Sequence, residues 1–386
     1  MANIELIATA TFGLEAVVAE ELKDLGYEQV IIENGKVTFT ADESAICRAN
    51  LWLRTADRVR LKVGEFKAVT FDELFEKTRA LPWADLLPEN ATFPVDGKSV
   101  KSTLFSISDC QAIVKKAVAE SMKKRYHKEW FTEDGPEYKI EVSLLKDNAT
   151  LTIDTSGEGL HKRGYRTGGG EAPLRETLAA ALVQLARWKP EITLIDPMCG
   201  SGTIPIEAAL MGLNIAPGMN RTFVSEQWPT IEKSHWHEAR RETHDLANYD
   251  RELDVTGTDI NNAAIEIARK NALEAGVGDA IHFQARPLSE LSSKKKFGKI
   301  VCNPPYGERL NTLKETEKLY KQMGKLFIKL DTWSFYIITA HENFETLFGK
   351  RASKRRKLYH GNIRVHYYQY FGPRPPRRKE GDTHEN

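Results

Sequence analysis

Apolar positions along this chain repeat at two periods, every second residue and every third to fourth, and the two alternate. Ile4-Glu-Leu-Ile-Ala-Thr is short and β-prone, and Gly13 to Leu22 sets Leu14, Val17, Val18 and Leu22 on one helical face. Val37-Thr-Phe-Thr alternates like a half-buried strand, Ala41 to Thr55 returns to helical spacing, and Val59-Arg-Leu-Lys-Val alternates strictly. Strand, helix, strand, helix, strand over residues 4–61 predicts a small α+β unit. A second unit runs to about Asp154. It holds a helix at Phe71 to Thr78, a strand candidate at Thr92-Phe-Pro-Val, and an amphipathic helix from Asp109 to Tyr126 with Ile113, Val114, Val118 and Met122 inward. A hairpin turning around Asp147-Asn148 follows.

Ser156 to Gly170 is glycine-rich and basic and reads as a linker or a shaped loop. From Pro173 the texture changes. Leu174 to Trp188 is a strongly apolar helix, after which strands (Thr193–Asp196, Val255–Asp259, Ile281–Phe283, Lys299–Cys302, Ser334–Thr339) alternate with helices (Ile206–Met211, Ala263–Ala275, Glu315–Leu330). Such alternation predicts a mostly parallel sheet covered on both faces. The last apolar strand lies near Val365 to Phe371, and the tail after Pro373 is polar and proline-rich, so disorder is expected there. Residues 213–254 form a long excursion containing Trp228, Trp236 and His237, which reads either as a substrate lid or as an extra helical cover.

Composition narrows the function classes. The chain's 386 residues make two or three domains at roughly 100–200 residues each. Lys and Arg number 55 against 54 Asp and Glu, so any polyanion site must come from local clustering. Two clusters qualify. The helix ending Lys123-Lys124-Arg125-Tyr-His-Lys128 is the best candidate for phosphate binding, with a solvated helix end as the alternative. The run Lys350-Arg-Ala-Ser-Lys354-Arg355-Arg356-Lys357 is denser and reads as an RNA contact or an exposed loop. The cysteines Cys47, Cys110, Cys199 and Cys302 form no Cys-x-x-Cys pair, which excludes zinc ribbons and thioredoxin-like motifs, and no metal site is expected. No apolar run approaches a membrane span, and the opening residues lack the basic-then-apolar order of a signal peptide, so a cytoplasmic protein with no membrane partner is expected.

Three segments carry chemistry, each at the end of a predicted parallel strand. Ile195-Asp196-Pro197-Met-Cys199-Gly200-Ser-Gly202-Thr203 opens a helix, and its two glycines let a ligand approach the main chain. The spacing is neither a dinucleotide fingerprint nor a Walker loop, and a plain strand-to-helix turn stays open. Gly257-Thr-Asp259 ends the next strand; its carboxylate can accept from ribose hydroxyls or merely cap the following helix. Cys302-Asn303-Pro304-Pro305-Tyr306-Gly-Glu-Arg joins two donor-less prolines to an amide carbonyl and an aromatic face, a set that fits the exocyclic amine of a planar base. His161, Arg163 and Arg166 could touch either ligand or RNA and rank lower.

In this order the three motifs resemble class I S-adenosylmethionine-dependent methyltransferases acting on an amino group. With Ala8-Thr-Ala-Thr-Phe-Gly-Leu-Glu, Gly157-Glu-Gly-Leu-His-Lys-Arg-Gly-Tyr-Arg and Ala172-Pro-Leu-Arg-Glu-Thr-Leu, the chain over residues 3–370 more narrowly resembles the THUMP-containing ribosomal RNA large-subunit (guanine-N2) methyltransferases. Asn-Pro-Pro-Tyr alone is shared with DNA adenine and protein glutamine methyltransferases, so it fixes the chemistry better than the substrate. The resemblance implies an α/β, Rossmann-like class I methyltransferase domain with a mostly parallel seven-stranded sheet, preceded by a ferredoxin-like unit and a THUMP domain. The implied division is 1–65 ferredoxin-like, 66–156 THUMP, 157–172 linker, 173–372 methyltransferase and 373–386 tail. S-adenosylmethionine is the implied cofactor and RNA the partner, ribosomal RNA first. Asp196, Pro197, Cys199, Gly200, Gly202, Thr203, Asp259 and Asn303 would line the donor pocket. Asn303, Pro304, Pro305 and Tyr306 would hold the target amine and stack on the guanine. Many relatives carry an Asp beside the adenine where this chain has Arg286-Pro287, so adenine recognition is expected to rest on backbone groups. The rivals are a transfer RNA guanine-N2 methyltransferase, a DNA adenine-N6 methyltransferase, and a non-catalytic RNA-binding assembly factor.

Overall fold

The computed structural model describes residues 3–166, 173–306 and 310–376, which divide into two compact units. Thr167 to Ala172 of the glycine-rich stretch, Gly307-Glu308-Arg309 of the last motif and the tail from residue 377 lie outside the described residues.

The first unit comprises residues 1–163 together with Ile215–Ala247. Its seven strands are β1 (Ile4–Ala10), β2 (Val30–Glu33), β3 (Lys36–Ala41), β4 (Ala56–Lys67), β5 (Val95–Val100), β6 (Ile140–Leu145) and β7 (Asn148–Asp154). They form one sheet in the order β2-β3-β1-β4-β7-β6-β5. The 12-residue β4 makes the sheet continuous: Ala56–Leu61 pairs with β1, and Arg60–Lys67 pairs with β7. Sequence expectation needs three corrections here. The strand β2 was absent from it; Val-Ile-Ile-Glu is too short and too exposed to show a period, and it is fixed by pairing with β3. The strand placed at Thr92 to Val95 lies at Val95–Val100 instead, and Thr92 makes only an isolated bridge to Glu137. The hairpin turns on Lys146 and Asp147, both at positive φ (51° and 64°), the left-handed pair that matches the twist of a two-residue turn.

Residues 215–247 of the 213–254 excursion fold into this same unit. Trp228 stacks on Tyr138 with ring centroids 4.3 Å apart and gives its indole N–H to the Glu137 carbonyl at 2.8 Å. Phe223 stacks on Trp236 at 5.5 Å, and the helix Lys233–Asp245 is tied to the helix Ser44–Trp52 by a two-pronged Arg48–Glu242 pair at 2.8 Å. Phe223, Trp228 and Trp236 of the excursion are therefore core residues, while His237 and Tyr249 are exposed.

The second unit comprises Gly164–Asn214 and residues from Asn248 onward. Its strands are β8 (Leu194–Asp196), β9 (Val255–Asp259), β10 (Ile281–Ala285), β11 (Lys299–Cys302), β12 (Ser334–Thr339), β13 (Lys354–His360) and β14 (Ile363–Tyr370), ordered β10-β9-β8-β11-β12-β14-β13. The first five are parallel; β14 runs antiparallel to both β12 and β13. Central β8 lies between β9 and β11, where the chain order reverses, the position at which open α/β sheets bind ligands beyond the strand ends. The helix Thr203–Gly212 that leaves β8 is apolar on nearly every face and buried along its length. The basic run at 354–357, read above as a loop or an RNA contact, forms the edge strand β13.

Candidate active site

Each proposed ligand-binding segment leaves the carboxyl end of one of three adjacent parallel strands. Register fixes their neighbourhood: Asp196 of β8 stands opposite Gly257 of β9, and Ile195 opposite Ile300 of β11. With strands about 4.8 Å apart, the three loops share one rim.

The two glycines of the first loop have different reasons. Gly200 has φ +51° and open space where a Cβ would stand, so the main chain is accessible there. Gly202 has φ +83°, and a Cβ would sit 2.9 Å from that of Ala268 and 3.0 Å from the Phe283 ring. Close packing excludes a side chain at that position. Gly202 is also the N-cap of the helix Thr203–Gly212 and provides no capping side chain. The first turn's N–H groups are thus left to neighbours or a ligand. Pro197 and Cys199 are buried in the same turn, and the Cys199 N–H donates to the Thr258 carbonyl at 2.9 Å.

Asp259 is not the helix cap. Asn261 caps the helix Asn262–Glu274, accepting from the N–H groups of Ala263 and Ala264. Asp259 instead accepts from the Gly200 N–H at 3.0 Å and the Asn261 N–H at 2.9 Å, tying the end of β9 to the glycine turn. Each carboxylate oxygen keeps a lone pair for a further donor. Asp196 is buried and accepts from the Met198 N–H at 3.2 Å; no basic side chain pairs with it among the described residues. Burial raises its carboxyl well above the usual carboxylate range, the Met198 N–H opposes that, and the Asp259 charge adds to it. Burial likewise pushes the Cys199 and Cys302 thiols up, which leaves them protonated and inert.

In the third loop the Tyr306 hydroxyl donates to Asn303 Oδ1 at 2.7 Å. A hydroxyl donor selects the amide oxygen, so this bond orients the Asn303 side chain and still leaves its carbonyl a second lone pair. Tyr306 is half-buried and meets His360 edge-on at 6.2 Å. Pro304 is buried and Pro305 exposed. A residue that sequence reasoning passed over holds the loop from behind. Buried Tyr320 donates to the Pro305 carbonyl at 2.7 Å and accepts from Thr339 Oγ1 at 2.8 Å, and Thr339 accepts from the His341 N–H at 3.1 Å. Its only signal in the sequence was a hydroxyl on an otherwise apolar helical face with Met323 and Phe327. Arg286 turns its guanidinium onto Glu290, and its backbone N–H donates to the Asp259 carbonyl at 2.8 Å.

The basic candidates lie apart from these loops in the chain. Lys123 pairs with Glu120 at 3.1 Å and Glu129 at 3.3 Å, and Lys128 pairs with Glu89, while Lys124 and Arg125 are exposed at the helix end. Exposed pairs of this kind are weak, and a phosphate can displace them. Lys354 and Arg355 are exposed on β13, with Arg355 3.9 Å from Glu345; Arg356 is half-buried. Cationic edge strands also discourage sheet-to-sheet association, which accounts for the run without a ligand. Among the described residues no cluster of His, Cys, Asp or Glu could hold a metal, and no helix is long and apolar enough to cross a membrane.

Comparison with known proteins places these features in a family. Residues 163–369 match the family described as RMKL-like, methyltransferase domain; residues 5–60 match the RlmL ferredoxin-like domain and residues 68–154 the THUMP domain. YpsC of Bacillus subtilis (strain 168), named as a candidate RNA methyltransferase, is 56% identical over 385 residues, 99% of this chain and 100% of that protein. A crystal structure from Listeria monocytogenes, described as a predicted N6-adenine-specific DNA methylase, superimposes with a TM-score of 0.93 at 55% identity over 97% of each chain. That of SMU.472, described as a candidate methyltransferase complexed with SAH, gives 0.92 at 45% identity over 97% of this chain and 100% of that one. The parallel sheet with its antiparallel far edge, the three loops at one rim and these matches agree, and the chain belongs to the RMKL-like methyltransferase family, carrying a ferredoxin-like and a THUMP domain ahead of its methyltransferase domain.

Proposed function

We propose that the protein transfers the methyl group of S-adenosylmethionine to the exocyclic N2 amine of a guanine in RNA, with 23S ribosomal RNA as the first substrate to test. The observation that carries the reading is the Asn303 carbonyl, held by Tyr306 on a loop braced by Tyr320, at the end of the strand adjoining the glycine turn. The residues of the first loop fit the donor. A backbone open at Gly200 suits close approach of a nucleoside amino acid, and buried Asp196 without a basic partner among the described residues suits a cationic one. Asp196, Pro197, Cys199, Gly200, Gly202 and Thr203 would line the methionine end, and Asp259 would accept from the ribose. The SAH complex of SMU.472 supports the choice of an S-adenosyl donor.

Bound there, S-adenosylmethionine supplies an electrophilic methyl group on a sulfonium. The chain's own part is positioning. A guanine amine is a poor nucleophile because its lone pair is delocalised into the ring. Asn303 Oδ1 and the Pro304 carbonyl accept its two hydrogens and direct the nitrogen at the donor pocket, while Tyr306 offers a ring face to the base. Orientation of this kind can supply up to about 7–11 kcal/mol of a barrier. The alkylated nitrogen is acidic and loses its proton to water, so the loop needs no histidine or carboxylate as base. Lifting a base out of its stack costs a few kcal/mol, least for an unpaired nucleotide. Lys123, Lys124, Arg125 and Lys128, with Lys354, Arg355 and Arg356, would meet that cost through phosphate contacts.

The THUMP match and the name of the Bacillus relative favour RNA. The description of the Listeria relative favours a second reading, DNA adenine-N6, which the same acceptor pair could serve. Tritiated donor incubated with ribosomal RNA, transfer RNA and DNA separates the readings. Label in N2-methylguanosine of 23S ribosomal RNA is the expected outcome; label only in DNA adenine or only in transfer RNA replaces the substrate. No label and no heat of donor binding by calorimetry would leave an assembly factor.

A further inference from the structure

The chain passes from the first unit to the second between Arg163 and Gly164. Next come Tyr165 and Arg166, which the chain enters through Gly164 at φ +99°, a conformation side chains disfavour. Tyr165 is buried and donates to Glu207 Oε1 at 3.0 Å; Glu207 is fully buried within the helix Thr203–Gly212. Arg166 spreads its guanidinium across four acceptors. Nε donates to Glu176 Oε1 at 2.8 Å and Nη2 to the Leu174 carbonyl at 3.1 Å; Nη1 reaches Ser201 Oγ at 3.4 Å and Nη2 reaches Thr203 Oγ1 at 3.2 Å. Ser201 and Thr203 flank Gly202, the N-cap that offers no side chain of its own.

We infer that Arg166 is a positioning residue for the methyl-donor turn, gripping the hydroxyls on either side of Gly202 so that the first N–H groups of the helix keep one direction. Three features argue for this. The turn has no capping side chain of its own, so its orientation must come from outside. A planar, five-donor fork is the one side chain that can hold a carboxylate and two hydroxyls together; an ammonium cannot span them. The guanidinium stands against the positive end of a helix dipole, which disfavours it, and it is kept there by buried Glu176, itself at the favourable N-terminal end of the helix Glu176–Leu185. A residue placed merely to hold this stretch of chain down would not need the two hydroxyls.

The inference rests on the reading that this turn holds the donor, and the test separates the two. SAH is titrated calorimetrically into the wild-type protein, Arg166→Ala and Arg166→Lys, each well below its thermal midpoint. The expected result is binding weakened roughly tenfold or more in Arg166→Ala, partly restored in Arg166→Lys. Thr203→Val added to Arg166→Ala should cost less than Thr203→Val alone, because Arg166 acts through that hydroxyl. Wild-type binding with Arg166→Ala within twofold of it overturns the inference and leaves the donor reading standing. If Arg166→Ala does not fold, Arg166→Lys decides, and wild-type affinity there overturns it. Absence of SAH binding by the wild-type protein overturns the donor reading and the inference with it.

Discussion

In the proposed reaction Asn303 and Asp196 have different roles, and their variants should fail differently. Asn303→Ala removes an acceptor for the amine without touching the glycine turn, so turnover should fall about a hundredfold while SAH affinity stays within twofold, read by steady-state kinetics beside calorimetry. An equal loss of SAH affinity would make Asn303 a donor ligand. Asp196 gives a pH signature. Its carboxyl is raised mainly by burial, so in the donor-free protein it costs stability as pH climbs from the ordinary carboxylate range toward its own higher value. A cationic donor favours the ionised form. Affinity for S-adenosylmethionine should therefore rise with pH through that titration, with proton release, and level off above it. Asp196→Asn should flatten the profile and lower the plateau about tenfold, measured calorimetrically in buffers of differing ionisation heat. These residues were legible because their types are unusual at strand ends. The Tyr306–Asn303 bond and the Asn261 cap were not, since a sequence names the groups but not which of two neighbours takes which partner.

At the scale of elements, legibility followed amphipathicity. The helices with one apolar face, such as Ile107–Tyr126, and the buried parallel strands showed in the sequence nearly where they fold. β13 did not, because Lys-Arg-Arg-Lys has no apolar alternation and becomes a strand only through its register with β14. The helix Leu310–Phe327 was readable, but the polar errand of Tyr320 was hidden in its core face. The chain from the His341 N–H through Thr339 and Tyr320 to the Pro305 carbonyl ties the Asn303 loop to the end of β12. Tyr320→Phe cuts that chain with little change in volume. It should lower turnover about five- to tenfold with SAH affinity preserved, a loss the size of one hydrogen bond.

At the scale of the whole molecule, the first unit is assembled from two distant stretches of chain, because residues 215–247 supply Phe223, Trp228, Ile231 and Trp236 to its core. No local pattern could reveal that, as the partners lie far upstream, Tyr138 among them. A fragment beginning at Gly164 would carry those side chains with nothing to cover them, and it should be insoluble on expression. Excision of 215–247 should rescue it, since the Asn248 N–H already bonds the Leu213 carbonyl at 2.7 Å and a short bridge can rejoin the ends; solubility and a cooperative melt are the measurements. That closure also bears on how such proteins are inherited. Recombination at a single crossover could not exchange the amino-terminal half for a foreign one, because the newcomer would meet a graft shaped for its predecessor. Variation in the two stretches should be correlated, and a chimera would succeed only when both are transplanted as a pair.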